Sequence, residues 1–220
     1  MRKDVKAVIF DLDGTLLYTL EDLAAAVNWA LRQNGMAERT LDEVRRFVGN
    51  GVRRLMARSV PGGEDNPCFE QTFADFKRYY VAHCQEHTRL YEGVTDMLEG
   101  LKAHGLRMAI VSNKLQAGVD ELYDRYFRDT VEVAIGDHPD RQRKPAPDMV
   151  ELALKQLGVA KDEAVYVGDS DVDLATARNS GLPCISVLWG FRDRDFLIEH
   201  GAQRLVEKPE EVLAAVRSDR

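Results

Sequence analysis

Two aspartates and a glycine follow a short apolar run near the amino terminus. The run Ala7-Val8-Ile9-Phe10 leads directly into Asp11-Leu12-Asp13-Gly14-Thr15. The apolar run predicts a strand buried on both faces, and the acidic residues predict a polar turn at its carboxyl end. Asp11 and Asp13 can both reach one small group, and Gly14 allows a sharp turn whose amide hydrogens face an anion. The stretch therefore predicts a site for a small anionic group.

Polar residues also follow two later predicted strands. Ser112-Asn113-Lys114 comes after the segment 106–111, and Asp169-Ser170-Asp171-Val172-Asp173 comes after the segment 164–167 and Gly168. In open α/β sheets, ligands bind outside the carboxyl ends of the strands, and parallel strands end at the same edge. We therefore expect these groups to converge with Asp11 and Asp13.

Several carboxylates at one edge repel one another unless a cation lies among them. Oxygen ligands without His or Cys suit Mg²⁺, which is the predicted cofactor. Lys144, flanked by Arg141 and Arg143, supplies a compact positive charge before a predicted helix. A carboxylate nucleophile, a metal, a lysine and a hydroxyl beside backbone amides are the groups that phosphoryl transfer requires.

The elements that position these residues follow from the hydrophobic periodicity. From residue 88 onward, strand and helix patterns alternate, which predicts an α/β fold with a doubly wound parallel sheet. Residues 16–86 carry helical patterns, among them a capping box at Thr40 and Glu43 and an aromatic stripe that starts at Phe69. We predict a core domain of residues 1–15 and 87–220 and a small all-helical cap domain of residues 16–86.

Composition limits the partners. With a net charge of −7 and no apolar run long enough to span a bilayer, the 220-residue chain predicts neither a nucleic-acid nor a membrane partner. No signal-peptide pattern follows Met1-Arg2-Lys3, and an odd number of cysteines without a C-x-x-C pair favours reduced thiols. These features predict a cytoplasmic protein, and both a monomer and a homodimer remain open.

Four ordered motifs resemble those of the haloacid dehalogenase (HAD) superfamily: Asp11-x-Asp13-Gly14-Thr15, Ser112-Asn113, Lys144-Pro145 and Gly168-Asp169-Ser170-x-x-Asp173. The similarity covers essentially the whole chain. Within the superfamily, three further stretches are most similar to the phosphoglycolate phosphatase group: Leu20-Glu21-Asp22-Leu23, Gly49-x-Gly51 and Ser112-Asn113-Lys114. The resemblance implies a Rossmann-like HAD core and a phosphatase that acts on a small phosphorylated metabolite, with 2-phosphoglycolate as the leading candidate.

The resemblance also implies roles for single residues. Asp11 would be the nucleophile that forms an aspartyl-phosphate, and Asp13 would protonate the leaving oxygen and then activate water. Lys144 would offset negative charge. Mg²⁺ would be held by the Asp11 carboxylate, the Asp13 carbonyl and Asp169, with Asp173 helping directly or through the other ligands.

Phosphate oxygens would be held by Gly14, Thr15, Ser112 and Asn113, and the cap would close over the site and select the leaving group. Two positions depart from the family pattern, since Tyr18 stands where relatives usually carry Asp and Glu92 stands where they usually carry Pro. The departure at Tyr18, near the cap hinge, leaves substrate choice open.

Other interpretations remain beside this one. Arg53 and Arg54 could bind a substrate carboxylate, but a solvated helix face is the better interpretation. For Asp171, a favourable charge at a helix start is a better interpretation than a catalytic role.

The same core also serves pyrophosphatases, nucleotide phosphatases, sugar phosphatases and enzymes resembling β-phosphoglucomutase. The mutase alternative is weaker because the first histidine of the chain is His83. A receiver-like phospho-Asp signalling module is the alternative from a different class, and the length and the helical insert count against it.

Overall fold

A computed structural model of the protein describes residues 4–49 and 51–217. Met1-Arg2-Lys3, Asn50 of the Gly49-Asn50-Gly51 motif and residues 218–220 lie outside the described residues. The chain divides into two compact units, of which one comprises Met1–Leu16 and Leu90–Arg220 and the other comprises Leu17–Arg89. We call them the core unit and the insert unit. The predicted cap, residues 16–86, covers most of the insert unit.

The strands, in chain order, are β1 (Ala7–Phe10), β2 (Leu17–Tyr18), β3 (Arg89–Leu90), β4 (Arg107–Leu115), β5 (Val133–Asp137), β6 (Ala164–Gly168), β7 (Cys184–Val187) and β8 (Leu205–Val206). The α-helices are α1 (Leu20–Gln33), α2 (Leu41–Phe47), α3 (Val52–Ser59), α4 (Phe69–His83), α5 (Val94–Ala103), α6 (Gln116–Tyr126), α7 (Asp148–Leu157), α8 (Asp171–Ser180), α9 (Arg194–Glu199) and α10 (Glu211–Arg217). Two short 3-10 helices span Gly63–Asp65 and Lys161–Glu163.

The core unit contains a six-stranded sheet in the order β5-β4-β1-β6-β7-β8. Every neighbouring pair in this sheet is parallel. β1 lies between β4 and β6, with Ala7 opposite both Arg107 and Ala164. All four residues of β1 are fully buried, as expected for a strand whose two faces are both covered. The predicted α/β fold with a doubly wound parallel sheet is confirmed.

A buried apolar cluster covers one face of this sheet. Side chains of α7, including Met149, Val150 and Leu154, pack with Ile9 of β1 and Tyr166 of β6. Because apolar burial is the main favourable term in folding, this contact fixes β1 and β6 side by side. It also places the two segments that follow these strands at one edge of the sheet.

β4 is longer than predicted. The strand continues through Ser112-Asn113-Lys114 to Leu115, with a shift in its register against β5 between Val111 and Leu115. The predicted end at Val111 was therefore wrong, because pairing resumes at Leu115 opposite Asp137. Irregularities of this kind change the direction of side chains at the end of a strand.

The insert unit is helical apart from short strands at its ends. It contains α1 to α4, and the two-residue strands β2 and β3 pair with each other, which the sequence did not predict. The predicted capping box is confirmed, since Thr40 Oγ1 accepts from Glu43 N at 3.2 Å and Glu43 Oε2 accepts from Thr40 N at 2.7 Å. Phe69 and Phe76 of the aromatic stripe are buried, and Phe73 is partly exposed.

Among the described residues, no helix combines the length and the apolar character that crossing a bilayer requires.

Candidate active site

Three buried aspartates lie together at the carboxyl edge of the central strands. Asp11 follows β1, and its backbone N–H donates to Val167 O at 2.9 Å, so pairing with β6 continues one residue beyond β1. Asp169 follows β6, and Asp173 lies in the first turn of α8. One carboxylate oxygen from each of these aspartates lies within 4.8 Å of those of the others. The predicted convergence of these three residues is therefore seen in the structure.

Lys144 supplies the positive charge within this cluster. Its Nζ donates to Asp11 Oδ1 at 2.6 Å and to Asp173 Oδ1 at 2.8 Å, and the residue is only 6% exposed. Burial opposes the charge on this lysine, but Asp11 and Asp173 more than offset burial and hold the pKa of Lys144 well above its ordinary value. Lys144 is therefore an ammonium that bridges two carboxylates.

Burial and the neighbouring carboxylates act in the opposite direction on the acids. Burial raises the pKa of Asp11 well above its ordinary value, Asp173 and Asp169 raise it further, and Lys144 opposes the increase. Burial, together with Asp173, also raises the pKa of Asp169 to about 7. One lysine thus does not neutralise the three carboxylates.

Asn113 holds the segment that carries Lys144. Its Nδ2 donates to Lys144 O at 3.1 Å, and its Oδ1 accepts from Lys144 N at 2.8 Å. The Lys144–Pro145 peptide bond is cis. The observed contacts of the Asn113 side chain therefore position Lys144. The flanking arginines form separate ion pairs, Arg141 with Asp140 and Arg143 with Asp137.

Asp173 is held by protein donors on both carboxylate oxygens. Oδ1 accepts from Lys144 Nζ and from the Tyr166 hydroxyl, the latter at 3.1 Å. Oδ2 accepts from Ser170 Oγ at 2.6 Å and from the backbone amides of Ser170 and Asp169 at 3.1 and 3.2 Å. Ser170 in turn caps α8, which fixes Asp173 relative to the end of β6. Asp173 thus orients Lys144 and the start of α8.

Asp169 is held by residues from two other segments. Its Oδ2 accepts from the backbone N–H of Phe191 at 2.7 Å, and the Thr15 hydroxyl lies 3.4 Å from Oδ1. Gly14 lies against the same carboxylate with φ of +92°, and a Cβ at this position would be 2.5 Å from Asp169 Oδ2. Glycine is therefore required at residue 14 both for the backbone conformation and for the close approach of Asp169.

Asp13 has a different environment from Asp11. Its Oδ1 accepts from Lys114 Nζ at 3.2 Å, and its side chain is 22% exposed against 10% for Asp11. Ser112 is buried, and its hydroxyl accepts from the backbone N–H of Lys114 at 3.1 Å. The two aspartates that follow β1 thus pair with different lysines.

The donor set fits Mg²⁺. Asp11, Asp169 and Asp173 offer only carboxylate oxygens, the ligands that this cation prefers, and they carry more negative charge than Lys144 offsets. A divalent cation among them would favour their ionised forms and so reverse the increase in pKa that burial causes. Asp173 accepts from five protein donors, against two for Asp169 and the Lys144 ammonium for Asp11, so Asp11 and Asp169 are the better placed ligands.

Sequence reasoning missed several residues of this site. Tyr166 was included only in a predicted core strand, yet its hydroxyl accepts from Lys144 Nζ at 3.1 Å. The segment after β7 contributes the Phe191 amide, and Trp189 Nε1 donates to Thr15 O at 2.9 Å. The available signal was that residues 189–191 follow a parallel strand, β7, since such segments reach the same edge of the sheet.

In the insert unit, Arg53 forms contacts of its own. Its guanidinium donates to Glu64 and Glu70 and lies 5.0 Å from the ring centroid of Phe69. These contacts agree with the helix-face interpretation of Arg53, and Arg54 is exposed on α3. Asp171 of the core unit is the first residue of α8, a position where a negative charge is favourable. Its Oδ1 lies 3.6 Å from Arg192 Nε.

Comparisons with known proteins identify the family. A family model described as haloacid dehalogenase-like hydrolase matches residues 8–187. The chain belongs to this family. The hydrolase is 34% identical over 221 residues to phosphoglycolate phosphatase 1 of Pseudomonas aeruginosa, covering 96% of this chain and 77% of that protein. It is 36% identical over 192 residues to phosphoglycolate phosphatase of Thiobacillus denitrificans, covering 85% of each chain.

Solved structures show the same fold along the whole hydrolase. A protein from Lactobacillus delbrueckii subsp. bulgaricus superposes with a TM-score of 0.93 at 35% identity, covering 99% of this chain and 100% of that one. The resemblance that the four motifs indicated is confirmed by these matches. The assignment of the hydrolase to an enzyme family follows from them as well.

Proposed function

We propose that this hydrolase is a Mg²⁺-dependent phosphatase that cleaves a small phosphate monoester through an aspartyl-phosphate on Asp11. The observation that carries the proposal is the buried cluster in which Lys144 bridges Asp11 and Asp173 beside Asp169. Lys144 opposes protonation of Asp11, as a carboxylate nucleophile requires. Its ammonium also attracts the negative charge of a phosphoryl group that approaches Asp11.

Asp13 is more accessible than Asp11 to a leaving alcohol and to water. It lies two residues after Asp11, but its side chain is more exposed, and it pairs with Lys114 rather than with Lys144. We infer that Asp13 gives a proton to the ester oxygen as the P–O bond breaks, while Asp11 forms the new bond to phosphorus. Asp13 then takes a proton from the water that attacks the aspartyl-phosphate, which regenerates both residues.

Mg²⁺ bound at this site would offset charge on the phosphoryl oxygens and orient them. Asp11 and Asp169 would hold it, with the Asp13 carbonyl as the further predicted ligand. Thr15 and the Phe191 amide keep Asp169 in place. Ser112, Gly14 and Thr15 remain predicted binding groups for phosphate oxygens. The backbone amide of Asn113 remains a further predicted binding group for these oxygens.

The leading substrate is 2-phosphoglycolate. Relatives more than 30% identical over most of the chain bear the name phosphoglycolate phosphatase, and the motifs predicted the same group. Pyrophosphate and sugar phosphates are the competing substrates, since one fold serves many leaving groups. A cytoplasmic location, and partners limited to the phosphorylated metabolite, remain predictions.

Chemical trapping tests the covalent intermediate. The protein is mixed with 2-phosphoglycolate and Mg²⁺, quenched with borohydride, digested and examined by mass spectrometry. Reduction of an acyl phosphate converts the aspartate to homoserine, so we expect homoserine at residue 11. The Asp11→Asn variant should keep its fold and show neither the product nor turnover of p-nitrophenyl phosphate. Turnover by this variant at a rate near that of the wild type would refute the proposal.

A screen of phosphate esters tests the substrate. Ranked by kcat/KM, 2-phosphoglycolate should exceed pyrophosphate, glucose phosphates and nucleoside monophosphates. A higher rank for any of these competitors would replace the substrate while leaving the proposed chemistry of Asp11 unchanged.

A further inference from the structure

Lys114 lies beside the proton-transfer residue rather than within the buried cluster. Its Nζ is 3.2 Å from Asp13 Oδ1, and its side chain is only 10% exposed. Lys144, by contrast, is engaged by Asp11 and Asp173. The core unit therefore places a second ammonium where the leaving group of the reaction would lie.

The fold fixes the position of this ammonium. The shift in register of β4 between Val111 and Leu115 sets the direction of the Lys114 side chain. Its aliphatic stem runs along Gly118 in the first turn of α6, where a Cβ would lie 3.6 to 3.7 Å from Cγ, Cδ and Cε. The backbone N–H of Lys114 donates to Ser112 Oγ, which anchors the residue at its other end. Lys114 is therefore a positioned group rather than a mobile surface lysine.

Nearby cations are engaged with other carboxylates. Arg141 and Arg143 pair with Asp140 and Asp137. Lys114 instead contacts Asp13, at 3.2 Å. Lys114 is therefore a cation that a negative charge on a leaving group at Asp13 could reach.

The geometry of a leaving group at Asp13 identifies what Lys114 would bind. To donate a proton, Asp13 must lie about 3 Å from the ester oxygen. An ammonium next to the same carboxylate oxygen can then reach a group attached to the adjacent carbon of the leaving alcohol. In 2-phosphoglycolate, that group is a carboxylate. An ammonium has three N–H donors, so it can donate to Asp13 and to a substrate carboxylate at the same time.

We propose that Lys114 determines specificity by binding a carboxylate carried on the carbon next to the leaving oxygen. This inference rests on the proposed phosphatase function and deepens it. It assigns the substrate class to phosphate monoesters of 2-hydroxy acids. The carboxylate is recognised within the core unit, on the same strand that carries Ser112 and Asn113.

The test compares two substrates that differ only at the group in question. In 2-hydroxyethyl phosphate, a neutral CH₂OH replaces the carboxylate of 2-phosphoglycolate. Wild type, Lys114→Met, Lys114→Arg and the control Lys161→Met are assayed with both esters, and thermal unfolding checks that each variant is folded. Lys161 pairs with Glu151 on the surface and lies outside the site.

We expect kcat/KM of Lys114→Met for 2-phosphoglycolate to fall about 10- to 100-fold, as for loss of a hydrogen bond to a charged group. For 2-hydroxyethyl phosphate, the decrease should be smaller by at least about threefold, because its hydroxyl carries no charge, whereas loss of the contact between Lys114 and Asp13 affects both esters alike. Lys114→Arg should keep part of the preference, since the charge remains while its geometry changes. Lys161→Met should behave as wild type with both esters.

The possible failures are distinguishable. Equal losses with both esters in Lys114→Met would overturn the inference and leave Lys114 as a residue that only positions Asp13. Equal rates of the wild type with the two esters would also overturn it, without requiring any variant, and would leave the phosphatase chemistry standing. A wild type that hydrolyses neither ester, nor p-nitrophenyl phosphate, would overturn the proposed function itself.

Discussion

Replacing Lys144 with methionine tests whether one ammonium holds the acidic cluster together. Methionine retains much of the length of the side chain and removes its charge. The change leaves Asp11 and Asp173, both buried, without the cation that they share at 2.6 and 2.8 Å. Removing one partner of a buried ion pair costs about 3 to 5 kcal/mol, because the remaining charge is left uncompensated. We expect a loss of stability of this size at neutral to alkaline pH.

Thermal unfolding with a chelator present measures this loss. For a chain of this size, each kcal/mol shifts Tm by about 2 to 4 °C, so Lys144→Met should unfold about 6 to 20 °C below wild type. The matched control is Lys161→Met, because the Lys161 to Glu151 pair is half exposed. An exposed pair contributes at most about 1 kcal/mol, so the control should stay within about 4 °C of wild type.

The pH dependence gives a second and independent check. The folded-state pKa of Asp11 is raised, and losing Lys144 removes the charge that opposes this increase. Aspartates of the unfolded chain have a pKa of about 3.9, so above this pH the folded variant binds more protons than the unfolded chain. The stability of the variant therefore falls as the pH rises from about 4 through the raised pKa of Asp11. The deficit of Lys144→Met should be smallest at about pH 5 and largest at about pH 8. A Tm close to that of wild type at alkaline pH, or a deficit independent of pH, would refute this account of the cluster.

Three further changes test other contacts. Tyr166→Phe removes only the hydroxyl that positions Lys144, so kcat should fall about 10- to 100-fold with little change in KM, as for loss of a hydrogen bond to a charged group. An unchanged kcat in steady-state kinetics would contradict this. Mg²⁺ should raise Tm more at pH 8 than at pH 6, because Asp169, whose pKa is raised to about 7, must lose its proton to bind the cation. An equal increase in Tm at the two pH values would count against Asp169 as a ligand. The Asp22 carboxylate accepts hydrogen bonds from the backbone amides of His87 and Thr88 and from the Thr88 hydroxyl. Asp22→Asn should weaken these bonds, so hydrogen exchange at the two amides should be about 10-fold faster. Unchanged protection of these amides would contradict the expectation.

The convergence of the acidic residues could be predicted because it depends on strand direction alone. Asp11 and Asp169 each follow an apolar run, and alternation of strands with helices implies that such runs are parallel. Residues at the ends of parallel strands share an edge whichever strands are neighbours. The order β5-β4-β1-β6-β7-β8 could not be predicted in the same way, because it depends on which faces of the helices pack together.

Other parts of the site leave no trace in residue type. Tyr166 lies within a wholly buried strand, where an aromatic residue is expected for packing, so its hydrogen bonds to Lys144 and Asp173 could not be foreseen. The Phe191 contact with Asp169 uses a backbone amide, which every residue except proline possesses. The two-residue strands β2 and β3 are too short to show a period.

The different environments of the two aspartates after β1 follow from the alternation of side chains along an extended chain. Residues two apart point to the same side, yet the turn at Gly14 ends the extended segment, so Asp11 reaches Lys144 while Asp13 reaches Lys114. Burial raises the pKa of Asp11, and the Lys144 ammonium opposes this increase and so favours the ionised form that the proposed nucleophile needs. The more exposed position of Asp13 suits a residue that exchanges a proton with a leaving alcohol and with water. In the proposed mechanism, the separation of charge between two lysines would allow two identical side chains, so close in sequence, to perform different steps of one reaction.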